Sequence, residues 1–348
     1  MRVLHITTNY PTPEHPAFGT FVQSQVESLR AQGVECTVFY VNGRGSLLRY
    51  ISAYFRLLWH LLTHRYELLH AHHALSGILL WMTCAPLFTP SILSYQNEVK
   101  REWGWGTFYL LAPFFRRIIF KSAPSSAPVA PAPVVPASAS SASSAPQALS
   151  PSAFPIFGEC FCKKVCVIPN GCDSSMFVPI PQSEAKQCLG LEEEKQYILF
   201  IDSNLRARHQ KREDRFDAVL SHLKTKYPRV EPLKLRSVAP EKMPLYFNAA
   251  EMYLLCSDYE GSPNAVKECL MCNRPVVATP VGDLPYLSQH CPACVVADFS
   301  EEGLGAAAEK ILTEGYDEGS SREILSSLGY GLESTAQKLL ELYQEILK

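Results

Sequence analysis

A chain of 348 residues with 32 basic and 34 acidic side chains, net charge −2, is longer than one ordinary hydrophobic core and suits two domains. Near balance of charge excludes the basic footprint of a nucleic-acid binder. The twelve cysteines follow a start, MRVLHITTNYP, without the basic and apolar regions of a secretory signal, so reduced thiols in the cytoplasm are expected rather than a disulfide framework.

Residues 2–8 read as a buried strand. The loop NYPTPEHPAFGTF follows, then a helix over 22–32 that closes at Gly33. With the next strand at 35–41, this is the opening of a doubly wound sheet, whose loops at the strand C-termini hold ligands. Residues 47–63 are helical, with Arg49, Ser52, Arg56 and His60 as a narrow polar stripe. The apolar remainder is wider than a single core-facing side requires. A strand at 67–71 leads to His72 and His73 in a loop, where histidines either face a ligand or are solvated. Residues 78–95 carry no charge, but Pro86 and Pro90 divide them into a short helix and the strand SILSY, so a buried core is expected and not a membrane span. Trp103, Trp105, Phe108, Phe114 and Phe115, mixed with Arg101, Arg116, Arg117 and Lys121, suit either a membrane interface or a core helix with snorkelling cations.

Residues 122–155 are almost entirely Ala, Ser, Pro and Val. That composition offers no period and few large side chains, so it is not expected to pack as a Rossmann element. Order resumes at KVCVIPNGCDSSMF (164–177). Cys160, Cys162, Cys166 and Cys172 lie in and before this stretch without paired C-x-x-C arms, so incidental thiols are expected and no metal. A short helix at 183–189, a strand at 197–203, the basic loop NLRARHQKRED, a helix at 215–227, a strand at 233–238 and a helix in PEKMPLYFNAA complete the approach to the central element. Amphipathic helices at 301–313 and 334–347 close the chain.

The central element is YLLCSDYEGSPNAVKE, residues 253–268. A short apolar strand runs into a helix start, with Ser262 at the N-cap and Pro263 at the first helical position. Such a terminus presents unpaired N–H groups and a positive dipole end that suit a phosphate. Glu260 before it and Glu268 in its second turn can accept hydrogen bonds from sugar or ribose hydroxyls; on spacing alone they fit equally a surface loop residue and a solvated helix residue. RPVVATPVGDLPYL (274–287) follows as a second strand with a Gly-containing loop.

These stretches, together with AFGTFVQSQVESLRAQG near the start and Pro-Asn-Gly at 169–171, resemble the retaining glycosyltransferases of family 4 (glycosyl transferases group 1). The resemblance implies α/β architecture of the GT-B type. Two Rossmann-like doubly wound domains, 1–165 and 166–328, would face across a cleft, with a C-terminal helix at 329–348 crossing back to the first. It also implies site roles. Glu260 approaches the transferred sugar and Glu268 grips the ribose; Gly261, Ser262, Pro263, Asn264 and Asn204 line the donor site. Gly19 either lets the backbone approach donor phosphate and acceptor or is a plain turn glycine. An arginine and a lysine after strand 197–203 stabilise the leaving diphosphate. Arg208 and Lys211 match best, Arg206 and Arg212 are substitutes, and a solvated charge run is the alternative. Two departures stand out. The family histidine after SILSY is replaced by Gln96, followed by Asn97 and Glu98, and glutamine can hydrogen-bond a sugar but cannot carry a proton. The Ala/Ser/Pro segment lies where the family has a strand and helix. The expected activity is transfer of a hexosyl group, with retention, from a nucleotide diphosphate sugar to a glycan or lipid-linked acceptor in cell-surface polysaccharide assembly. No cofactor or metal is implied, and peripheral membrane contact would come through 47–63 or 103–121. The rivals are a nucleotide-sugar-binding relative without transferase activity and a nucleotide-sugar epimerase of the same architecture.

Overall fold

The computed structural model describes residues 1–15, 18–43, 46–97, 102–122, 147–148, 163–202, 209–316 and 319–348. The chain divides into two compact units, Met1–Gly171 with Leu332–Lys348, and Cys172–Gly331. The first unit therefore extends past residue 165, because the strand there completes its sheet.

In the first unit β1 (Arg2–Thr7), α1 (Thr20–Ala31), β2 (Glu35–Tyr40), α2 (Leu47–Thr63), β3 (Leu68–His72), α3 (Ala74–Met82), β4 (Ser91–Ser94), α4 (Gly104–Leu111), β5 (Arg117–Phe120), β6 (Gln147–Ala148) and β7 (Val165–Val167) follow in order. The sheet runs β2-β1-β3-β4-β5-β7-β6, parallel throughout except for β6, which pairs antiparallel with β7. The strands β3 and β4 are buried along their whole length, as a parallel sheet covered on both faces requires. Leu4, Ile6, Leu69, Ala71 and Leu93 point to the face covered by α2, α3 and α4. Val3, Leu68, Ile92 and Ile119 point to the other, covered by α1 and the C-terminal helix.

Two expectations change here. Residues 103–121 do not form one helix: Gly104–Leu111 is helical and Arg117–Phe120 is an interior strand, with Phe108 and Phe115 in the core and Trp103 and Leu110 exposed. The Ala/Ser/Pro segment, otherwise outside the described residues, supplies the two-residue strand β6 at the sheet edge.

The second unit contains α5 (Gln182–Leu189), β8 (Gln196–Asp202), α6 (Glu213–Lys226), β9 (Val230–Arg236), α7 (Met243–Ala249), β10 (Met252–Leu255), α8 (Asn264–Met271), β11 (Val276–Ala278), α9 (Leu284–Leu287), β12 (Cys294–Val296), α10 (Glu301–Glu314) and α11 (Ser321–Ser327). Its five strands are all parallel, in the order β12-β11-β10-β8-β9. The last helix, α12 (Leu332–Leu347), returns to the first unit, where Ala336, Leu339, Leu342 and Tyr343 pack with Val22, Val26 and Leu29 of α1. Among the described residues, no helix is long and apolar enough to cross a membrane.

Leu339 is fully buried in that cluster. Leu339→Ala should therefore cost about 2–5 kcal/mol, read as a lower urea midpoint for the first unit; an unchanged midpoint would show that α12 adds nothing to that core.

Candidate functional site

In the second unit the segments after β8, β10 and β11 meet at the C-terminal end of the parallel sheet, where folds of this type hold ligands. Glu260 lies in the loop between β10 and α8. Its Oε1 accepts from Lys211 Nζ at 2.6 Å and from Ser257 Oγ at 2.8 Å. The Glu260 and Lys211 side chains keep only 12% and 19% exposure, so the pair is partly desolvated and its charges are weakly screened. The two loops are stitched by backbone as well: Asp258 N–H donates to Gln210 O, and Gln210 Nε2 donates to Tyr259 O at 2.7 Å. Lys211 thus stands on the first glutamate, with one of its N–H donors committed. Arg212 is bound to Asp214 and Asp258. Asn204, Arg206 and Arg208 lie outside the described residues.

The helix start differs from expectation by one residue and in its chemistry. Pro263 takes the N-cap position, α8 begins at Asn264, and no side chain caps it. The Ser262 hydroxyl donates to Asp283 Oδ2 at 2.7 Å instead. Lys267, fully buried on α8, reaches both the Ser262 hydroxyl and Asp283 Oδ2, the latter at 3.0 Å, and its ammonium lies 5.1 Å from the Tyr330 ring centroid. Beside this triad Gly282 holds φ +60°, and a Cβ there would stand 2.4 Å from Gly261 O. Gly261 and Gly282 therefore let the two loops touch backbone to backbone.

The carboxyl of Glu268, one turn beyond Asn264, accepts no hydrogen bond from the described residues. Burial of its carboxyl raises the pKa to about 7, against the opposing pull of the Lys267 ammonium. A carboxyl perturbed by desolvation beside a helix start marks a candidate ligand site. Raised in this way, the group contributes stability below its ordinary value of 4.5 and loses it as the pH rises through about 7.

In the first unit Gly19 takes φ +74°, and a Cβ there would stand 2.4 Å from the Asn9 carbonyl carbon. Close approach within the chain itself already demands glycine at this position. Gln96 follows β4 and is 6% exposed, and among the described residues neither end of its amide has a hydrogen-bond partner. Its backbone N–H donates to Glu102 Oε1 at 2.6 Å, as does that of Asn97 at 2.7 Å, and Ala74 N–H donates to Oε2 at 3.0 Å. His73 Nδ1 lies 3.3 Å from Glu102 Oε1, and its Nε2 is bonded to the Asn9 amide at 2.5 Å. His73 holds φ 72°, ψ 152°, a region nearly confined to glycine, where strain persists only under surrounding constraint. Buried Glu102, which sequence reasoning missed, supplies that constraint. His72 is not a loop residue: β3 runs one residue further than expected and buries it beside His5 and His70. All three imidazoles are pushed to low pKa by burial. The ring nitrogens of these three lie within 4.8 Å of one another. However, His70 is bonded at both nitrogens, to Tyr343 and Ser94, and stacks on His72 at 4.2 Å, so their in-plane lone pairs do not converge on one ion.

Solved structures share this architecture across the whole chain. Sucrose-phosphate synthase from Thermosynechococcus elongatus is 14% identical, with a TM-score of 0.72 over 99% of this chain and 98% of that one. Alr3699/HepE from Anabaena, in complex with UDP and glucose, is 14% identical, with 0.70 over 99% and 100%. The catalytic domain of starch synthase IV from Arabidopsis thaliana, bound to ADP and acarbose, is 12% identical, with 0.68 over 99% of each. No curated protein sequence matches the chain. Residues 209–314 match the family described as Glycosyl transferases group 1. That segment of the chain resembles the group 1 glycosyl transferases. The matched segment contains Lys211, Glu260, Lys267, Glu268 and Asp283 together. Of these, Lys267 and Asp283 were not legible as a pair, because a lysine within a helix and an aspartate after Val-Gly carry no spacing signal.

A buried carboxylate left without its ammonium is costly. Lys267→Met, which strips Asp283 of its partner, should therefore destabilise the chain by about 3–5 kcal/mol. Lys267→Met combined with Asp283→Leu should recover much of that loss in a urea titration. A double variant as unstable as the single one would show that the ion pair is not what holds the loops.

Proposed function

We propose that this chain moves a hexosyl group, with retention, from a nucleotide diphosphate sugar to a glycan or lipid-linked acceptor. Its place would be cell-surface polysaccharide assembly in the cytoplasm, at the inner face of a membrane, without metal or other cofactor. The observation that carries this reading is the placement of Lys211, Glu260 and Glu268 around one strand-to-helix passage. In that reading Glu260 keeps Oε2 for a hydroxyl of the transferred sugar while Oε1 is held by Lys211 and Ser257. The remaining donors of Lys211 meet the diphosphate oxygens, where negative charge grows as the glycosidic bond breaks. The N–H groups of Gly261, Ser262 and Asn264 at the start of α8 receive phosphate oxygens, with Arg208 and Asn204 approaching from the segment after β8. Glu268 accepts from the ribose hydroxyls. Gly19 and Gln96 serve the acceptor side, Gln96 with an amide that a ligand hydroxyl would satisfy. The UDP held by HepE and the ADP held by starch synthase IV support a nucleoside diphosphate as the donor's leaving part.

A thermal-shift panel of UDP-, GDP-, ADP- and dTDP-sugars identifies the donor, since a ligand bound only to the folded state raises the midpoint. Acceptor-dependent nucleotide release then separates a transferase from a binding relative, and a free altered sugar as product would mark an epimerase.

Because the Glu268 carboxyl has a pKa of about 7, a ribose hydroxyl donating to it favours the ionised form. Nucleotide binding near pH 6.5 should therefore release protons, seen as a calorimetric enthalpy that varies with the buffer's ionisation enthalpy. Glu268→Gln should abolish that dependence and weaken binding by on the order of 1.5–3 kcal/mol. Buffer-independent enthalpy in the parent chain would remove Glu268 from the nucleotide. Glu260→Gln should leave nucleotide affinity within about threefold and lower turnover by about 100-fold or more; normal turnover would make Glu260 a structural partner of Lys211 alone.

A further inference from the structure

Helix α2 has two apolar sides. Ala53 and Leu57 are buried against the sheet. On the opposite side Leu48, Ile51, Phe55, Trp59 and Leu62 are 75%, 47%, 62%, 70% and 70% exposed. Their spacing of three and four residues makes them one continuous stripe. The stripe does not stand alone. Tyr54 OH donates to Met82 O at the end of α3, and just beyond, Leu87 and Phe88 are 62% and 85% exposed. A surface helix ordinarily turns charge outward at such positions, and contiguous exposed apolar side chains mark an interaction surface.

We infer that this face of α2 docks on an anionic lipid surface. Charge selects the partner. The helix contains no Asp or Glu, and exposed Arg49 and Arg56 stand along one edge of the stripe, with exposed Arg65 just past its end. A second copy docked through the same face would bring these arginines together, which like-charge repulsion disfavours. Lipid phosphates meet them with the opposite charge. Trp59 flanks that edge at the level suited to an amphipathic ring, between acyl chains and headgroups. An open groove of about 600 Å³, lined by Phe39, Phe55, Arg56, Trp59, His60 and His64, lies beside it and offers room for a headgroup phosphate. Of the two stretches that composition suggested for membrane contact, α2 carries the continuous exposed stripe, whereas in 103–121 Phe108, Leu111 and Phe115 are buried and the exposed large apolar side chains are Trp103 and Leu110. The inference deepens the reading of a membrane-held acceptor and rests on it for the source of the lipid. It does not rest on glycosyl transfer.

The full chain is sedimented with vesicles of phosphatidylcholine alone and of phosphatidylcholine with phosphatidylglycerol, at low and high salt, while tryptophan emission is followed. Binding should favour the anionic vesicles, weaken with salt, and shift the emission to the blue. Arg56→Glu should reduce partitioning on the order of 30-fold, two charge steps at about 1 kcal/mol each. Phe55→Ser with Trp59→Ser should abolish binding without lowering the thermal midpoint, since both side chains are exposed. Equal binding to neutral and anionic vesicles, no binding to either, or a dimer in light scattering that the Phe55/Trp59 variant dissolves would each overturn the inference. None of these readings needs a substrate, so an inactive chain that binds vesicles refutes the transferase reading and leaves this one standing.

Discussion

A lysine with no exposed surface cannot keep its charge without a partner, because a bare ammonium loses its hydration on burial and nothing apolar replaces it. In the second unit Asp283 and the Ser262 hydroxyl provide that partner for Lys267, and Tyr330 covers the ammonium from the side. The three residues come from the loop before α8, from α8 itself and from the loop after β11. Their attraction therefore fixes two connecting segments against one helix. Gly282 and Gly261 permit that closure by removing the side chains that would hold the loops apart. Everything proposed for the donor, from the Glu260 carboxylate to the N–H groups at the head of α8, depends on those loops being held in one geometry. Preorganised dipoles help a reaction only if they need not be reorganised during it.

The first unit solves a similar problem with a carboxylate. Glu102 gathers the backbone N–H groups of Ala74, Gln96 and Asn97 and faces the imidazole of His73. It thereby fixes the ends of β3 and β4 relative to one another and holds His73 in a backbone conformation that other residues avoid. Among the described residues the buried Gln96 amide has no hydrogen-bond partner, and a buried amide left unpaired costs free energy.

The two glutamates around α8 differ in their electrostatics, and the difference follows from their neighbours. Glu260 is paired with Lys211 at 2.6 Å and with a serine hydroxyl, so its carboxyl is held in one position. Glu268 has burial without a hydrogen-bond donor, and its carboxyl rises toward neutrality. One is thus anchored by a cation and a hydroxyl, whereas the other is buried with no donor on its carboxyl.

The doubly wound fold of both units was legible in the sequence because short, largely apolar runs such as RVLHIT and MYLL, bounded by glycines and prolines and alternating with helical segments, suit strands of a parallel sheet. The strand-to-helix passage with Glu260 and Glu268 was equally legible, since seven intervening residues and a Gly-Ser-Pro turn constrain where two carboxylates can go. Pairing was not. That Lys211 stands on Glu260, that Ser262 serves Asp283 instead of capping its helix, and that Glu102 organises two strand ends depend on contacts between residues separated in the chain, for which local spacing carries no information. The same holds for α2, whose two apolar sides read alike in one dimension. Only the sheet, by covering Ala53 and Leu57 and no more, decides which of them faces the solvent.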